Sequence, residues 1–148
     1  MNTWARLVRG LLERTIRFRS PARQDATTSD RGARGEEHAV RALKKQRYRI
    51  LDRNFRTPVG EIDIIAQEGP CLVFVEVRTR ASIHYGLPQE TVIERKQRRL
   101  SKAAKWYLQR NRLDNSQCRF DVVAIVMDNG EHPHIEVIRD AFRPKDSW

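Results

Sequence analysis

Asp63 and Glu76 stand in the stretch GEIDIIAQEGPCLVFVEVRTR, residues 60 to 80, whose isoleucines, valines and phenylalanine otherwise read as two buried strands. Burying an ionised carboxylate without compensation costs several kcal/mol, more than the roughly 0 to 1 kcal/mol that an exposed ion pair returns. Two arrangements offset that cost. In one, Arg78 forms a buried ion pair with Glu76 or Asp63 and helps to fix the strand register. In the other, both carboxylates hold a divalent cation with Arg78 beside it, which satisfies all three charges together.

The elements that must position these groups can be read from periodicity. Strands are expected over 48–55, 60–67 and 71–79, with QEGP at 67–70 as a tight turn, giving an antiparallel meander. Strict alternation puts Glu61, Asp63 and Ile65 on one face and Ile62, Ile64 and Ala66 on the other. On the next strand Leu72, Phe74, Glu76 and Arg78 point one way. Residues 31–46 form a helix whose inner stripe carries Ala39, Val40 and Leu43, and Glu36 shares that stripe. Glu37 falls with Arg41 and Lys44 on the wet side. Three inward carboxylates and one guanidinium exceed what a register pin requires, which puts a functional site level with the buried ion pair.

After the loop ASIHYGLPQE comes a second helix from Glu90 to Arg112, then the strand CRFDVVAIVM and a weaker strand HIEVIRD. Residues 1–29 read as a basic leader and linker, 30–140 as one domain, and 141–148 as a polar tail. Helices packed on a mixed sheet, an α/β architecture, are the economical solution for this order.

A formal charge of +10 on 148 residues suits a polyanion, so nucleic acid or an anionic membrane surface is the expected partner class. The leader contributes +5 over residues 1–23, as an amphipathic pattern that fits a membrane surface, nucleic acid or a loosely ordered arm. The longest apolar run, VVAIVM at 122–127, is far short of the roughly 20 residues of a membrane span. Cys71 and Cys118 make no CxxC pair, and with the four histidines they give no zinc-finger spacing; both read as small apolar residues in a reducing cytoplasm.

The second helix is strongly basic, with eight cations against one acid over residues 94–112. Arg95, Arg98, Arg99, Lys102, Lys105 and Gln109 follow its outer stripe, either as a solvated face or, with Arg80, as a track for a phosphodiester backbone. Lys96 falls nearer the inner edge, where it neutralises Glu90 or Glu94 or supplies an amine to the site.

The blocks GARGEEHAVRAL, GEIDIIA, LVFVEVRTR, YGLPQETV, Lys96 and CRFDVV together resemble the YraN family of uncharacterised bacterial proteins, over roughly residues 32–127. That family looks like a branch of the PD-(D/E)XK nucleases, related to archaeal Holliday-junction resolvases, with a restriction endonuclease-like αβββαβ core. The resemblance implies a phosphodiesterase site dependent on magnesium or manganese. Asp63, Glu76 and the backbone carbonyl of Val77 would hold the metal, Glu36 would complete the outer shell, and DNA, branched or damaged, would be the substrate. The lysine of the family's ExK element falls at Arg78, a departure, because a guanidinium holds charge beside a phosphate but is a poor proton acceptor. Asp121 in RFDVV matches as well, although a strand-end Asp paired with Arg119 or Arg80 explains it equally. His84 and Tyr85 lie in the loop before the second helix. A homodimer would suit cutting of both strands, and a nucleic-acid-binding module without turnover is the rival reading.

Overall fold

The computed structural model describes residues 28–80, 90–127 and 132–144; the leader and the loop with His84 and Tyr85 lie outside them. The chain runs α1 (Thr28–Lys45), β1 (Arg49–Thr57), β2 (Gly60–Glu68), β3 (Cys71–Arg80), α2 (Glu90–Asn111), β4 (Cys118–Val126) and β5 (His134–Phe142). The strands form one sheet in the order β1-β2-β3-β4-β5. β1, β2 and β3 pair antiparallel as the meander expected from their short turns, and α2 carries the chain over so that β4 runs parallel to β3. β5 returns antiparallel to β4. The result is the mixed α/β sheet with flanking helices anticipated from the element order. β5 continues past residue 140 through Ala141 and Phe142, both buried, so the last strand reaches into the segment that reads as polar tail.

Each helix covers one face of the sheet. Ala39, Val40 and Leu43 of α1 pack on Ile64, Ala66, Val73, Val75, Val123 and Ile125. Leu100, Ala103, Ala104 and Leu108 of α2 pack on Ile65, Leu72, Phe74, Phe120 and Val122. β3 and β4, covered on both sides, are accordingly near-continuous apolar runs.

Regular alternation fails in β2. Ile62 belongs to the α2-side cluster and Ile64 to the α1-side cluster, although two residues apart in a regular strand they would share a face. The break lies at Asp63, where the β2–β3 ladder ends at the pair Ile64–Val75. β1 is irregular nearby, with a register shift between Ile50 and Asp52 and a positive φ of 52° at Asn54.

Two glycines set how closely the helices approach. A Cβ at Gly60 would lie 2.9 Å from the backbone oxygen of Arg99 in α2, and one at Gly35 in α1 would overlap Oγ1 of Thr79 in β3. Gly32, in the same helix as Gly35, has nothing within 4 Å of its virtual Cβ. Alanine substitution should therefore act with opposite signs within one helix. Gly32→Ala should stabilise by up to about 1 kcal/mol through helix propensity. Gly35→Ala should destabilise by about 1–3 kcal/mol, because overpacking outweighs the same gain. Urea unfolding of the two variants checks this; a stabilised Gly35→Ala would refute the close-packing account.

Candidate active site

The sheet opens at Asp63, and the opening builds the site. Were the ladder to continue, the Val77 N–H would donate to β2 backbone; instead it donates to Asp63 Oδ2 at 2.7 Å. Asp63 and Val77 thus meet through the N–H, whereas the resemblance implies a role for the Val77 carbonyl as a metal ligand. Glu76, one residue earlier on β3, shares the α2 face with Phe74 and is only 5% exposed. Its Oε1 forms an ion pair with Lys96 Nζ of α2 and a second, at 3.3 Å, with Arg78 Nε. Neither cation is aligned on that oxygen as a hydrogen-bond donor, so a buried carboxylate oxygen is charge-paired yet has no hydrogen bond.

Burial, and then the negative charge of Glu76, push the Asp63 carboxyl up to about 7 from an ordinary 3.8. The Val77 N–H and the Lys96 ammonium pull it back, and Glu36 adds to the rise. The three acids singled out in the sequence are therefore within electrostatic reach of one another. Glu36 is steered from α1 by Asn54, whose Nδ2 donates to Glu36 Oε2 at 3.1 Å. Asn54 holds a left-handed backbone, with φ of 52°, a conformation asparagine tolerates well. Among the described residues no three acidic, histidine or cysteine side chains converge closely enough to ligate one ion together.

Above Glu76 lies a cavity of about 760 Å³ between the β1–β2 turn and the first half of α2, lined by residues that include Arg56, Gly60, Glu61, Glu76, Arg95, Lys96 and Arg99. The turn is held by Thr57, whose Oγ1 donates to the Gly60 carbonyl at 2.8 Å and accepts from the Gly60 and Val59 N–H groups. Its position against α2 follows from the missing Cβ at Gly60. The cavity thus has Glu76 with Lys96 at its floor and Arg56, Arg95 and Arg99 around it, Arg56 standing 3.7 Å from Glu61.

Of the residues assigned to a backbone track, Arg95 and Arg99 line this cavity, while Arg98, Lys102 and Lys105 lie exposed along α2. Lys96 belongs to the floor, against Glu76. The side chain of Arg80 lies outside the described residues. Neither Arg56 nor Asn54 has a local signal in the sequence: Arg56 lines the cavity from the end of β1, and Asn54 meets Glu36 from a left-handed position in the same strand.

Asp121 is fully buried away from this cluster, with the parity of Val123 and Ile125 on the α1 side. It accepts from Tyr48 Oη at 2.9 Å, from Arg119 Nε and Nη2 at 2.8 and 2.9 Å, and from the Asp140 N–H at 3.0 Å. The ion-pair reading with Arg119 is the one realised. No helix among the described residues is long and apolar enough to cross a membrane.

Comparison with known proteins adds a family. A family model described as "Uncharacterised protein family UPF0102" matches residues 35–125. A "UPF0102 protein" of Trichlorobacter lovleyi is 49% identical over 112 residues, 75% of this chain and 88% of that protein. "UPF0102 protein GSU0650" of Geobacter sulfurreducens is 50% identical over 111 residues, covering 75% and 87%. A "UPF0102 protein" of Rhodococcus opacus is 49% identical over 111 residues, covering 75% and 94%.

Proposed function

Because the chain belongs to the uncharacterised protein family UPF0102, the YraN family, whose name carries no activity, we propose a function from the site itself: metal-dependent hydrolysis of phosphodiester bonds in nucleic acid, DNA above all. The observation that carries it is the interacting pair of carboxylates Asp63 and Glu76, the second lying with Lys96 on the floor of a cavity that Arg56, Arg95 and Arg99 also line.

The residues fit a hard divalent cation. Glu76 offers a buried oxygen without an aligned hydrogen bond, and the Asp63 carboxyl lies close enough to feel its charge. All the donors are oxygens, which favours magnesium or manganese over zinc. Magnesium keeps several waters and is commonly held by only one or two carboxylates, so the lack of a third converging ligand is compatible with it. Asp63 and Glu76 would hold the ion, with Glu36 acting on its surroundings through Asp63. When bound, such an ion polarises a phosphoryl oxygen and lowers the pKa of a coordinated water.

The chain's own groups do the rest. Arg56, Arg95 and Arg99 draw a phosphate into the cavity and fix it by contacts that carry no base information. Lys96 holds positive charge beside Glu76, and its ammonium can give a proton to a leaving oxygen at the floor. Arg78 remains charged and stabilises negative charge that develops there.

One observation favours the rival reading, a nucleic-acid-binding module without turnover: Glu76 already has two cations on one oxygen. Incubating labelled linear, flapped and four-way DNA with the protein and magnesium or manganese separates the two. Metal-dependent cleavage is expected; binding with no cleavage across the panel would establish the module instead.

A further inference from the structure

Trp106 is 46% exposed on α2, one of few large apolar side chains left in solvent among the described residues. Isolated exposed apolar residues are ordinary and carry nothing by themselves. The surroundings of this one are not ordinary. Arg95, Arg99, Lys102, Trp106 and Arg110 follow one another at spacings of four, three, four and four, so they form a single exposed stripe along the helix. Among the described residues none of these four cations, nor Lys105 beside the stripe, has a carboxylate in ion-pair range, whereas Arg98 is taken by Glu94 at 3.5 Å. The stripe begins inside the cavity, since Arg95 and Arg99 line it together with Glu76. Trp106 lies seven residues beyond Arg99, about 10 Å along the helix axis.

We infer that this stripe is the exit track for an unpaired nucleic-acid strand, with Trp106 as the platform on which one of its bases stacks after the backbone leaves the Glu76 cavity. The identity of the polymer rests on the nuclease reading; the choice of a single strand rests on Trp106. A duplex turns its base faces inward and offers a convex basic helix only phosphates and groove edges, which leaves an indole uncovered. An unpaired strand offers both phosphates for the cations and base faces for the indole, the combination that aromatic side chains in basic grooves serve. Lys102 and Arg110, each four residues from Trp106, flank the ring and favour a stacked base through its phosphates. A second copy of the chain is a poor occupant for the same face, because two helices each carrying eight cations against one acid over residues 94–112 would repel.

The test uses the full chain with Trp4→Phe and Trp148→Phe, so that Trp106 alone reports. Without metal, so that nothing is cut, a short oligothymidylate should quench the Trp106 emission saturably, while a blunt duplex of equal charge should bind with little quenching. Trp106→Ala in the natural sequence should weaken oligothymidylate binding by roughly 5- to 100-fold and duplex binding by less than about 2-fold, with Trp106→Phe intermediate. Trp106 is exposed, so an unchanged melting curve should accompany these losses. Equal quenching by duplex, unaltered oligothymidylate binding by Trp106→Ala, or a sedimenting dimer that Trp106→Ala dissolves would each overturn the track. Cleavage with magnesium is scored separately. Duplex cutting without Trp106 quenching sinks the track and leaves the nuclease standing; quenching without any cutting sinks the nuclease and supports the track. Binding of neither polymer overturns both.

Discussion

Asp63→Asn should abolish metal-dependent cleavage and, in the same protein, raise stability in the absence of metal above neutral pH. Removing one of the two carboxylates proposed to hold the metal would forfeit several kcal/mol of transition-state stabilisation, a rate loss of roughly a thousandfold or more. The stability effect follows from the carboxyl's position between burial and Glu76. Folded, it titrates at about 7; unfolded, at its ordinary 3.8. Between those values the folded chain keeps a proton that the unfolded chain releases, so stability falls as pH rises and is lowest above about 7. The shift corresponds to on the order of 4 kcal/mol, shared with Glu76 because the two charges interact. The amide introduced by Asp63→Asn can still accept from the Val77 N–H but carries no charge, so the metal-free variant should gain a few kcal/mol at pH 8 and little at pH 4. Glu76→Gln should lose cleavage as completely and yet lose stability, because the ion pairs of the buried Glu76 with Lys96 and Arg78 go with its charge. Urea midpoints at the two pH values, with and without magnesium, read both signs. A wild-type midpoint indifferent to pH would refute the electrostatic account of Asp63, and cleavage surviving both substitutions would place the chemistry elsewhere.

That Asp63 and Glu76 belong together was legible because they are exceptions in apolar strands, and burial makes such exceptions expensive. Glu36 was legible from its place on the α1 stripe, and the element order followed from period and length. What periodicity could not carry is register. It put Asp63 on a regular face with Ile65, whereas β2 parts from β3 at that residue, and the parting frees the Val77 N–H that orients the carboxylate. Asn54 reaches Glu36 from a left-handed position in β1 that no local pattern announces, and Arg56 lines the cavity from the end of the same strand. Lys96 shows the same limit from the other side: a helical wheel places it near the inner edge but does not say which strand residue it meets. The partners of Asp121 were half visible, Arg119 lying two residues away and Tyr48 seventy-three.

Asp121→Ala should cost about 3–5 kcal/mol of unfolding free energy while leaving the site's own contacts in place. The carboxylate is fully buried and accepts four hydrogen bonds, from Tyr48, from two nitrogens of Arg119 and from the N–H of Asp140. Asp140 has a positive φ of 48° where the β4–β5 register shifts, so the same side chain also caps an irregular turn of β5. Arg119 links onward to Glu68 at 2.8 Å, and Glu68 to Arg139 at 2.6 Å. Its hydrogen bonds to Asp121 above all hold Arg119 firmly protonated, and burial with Asp121 pushes the Tyr48 hydroxyl up to about 12. Deleting the carboxylate would leave a partly buried guanidinium with one acid instead of two and leave the Asp140 N–H and Tyr48 hydroxyl short of an acceptor. Tyr48→Phe removes one neutral donor and should cost only about 1 kcal/mol. Arg119→Leu in the Asp121→Ala background should recover part of the loss, because the uncompensated charge goes with it. Since Asp121 faces the α1 side and Glu76 the α2 side, magnesium affinity of the folded Asp121→Ala protein should stay within a few-fold of wild type. An Asp121→Ala protein as stable as wild type but unable to bind magnesium would move Asp121 from the scaffold into the site.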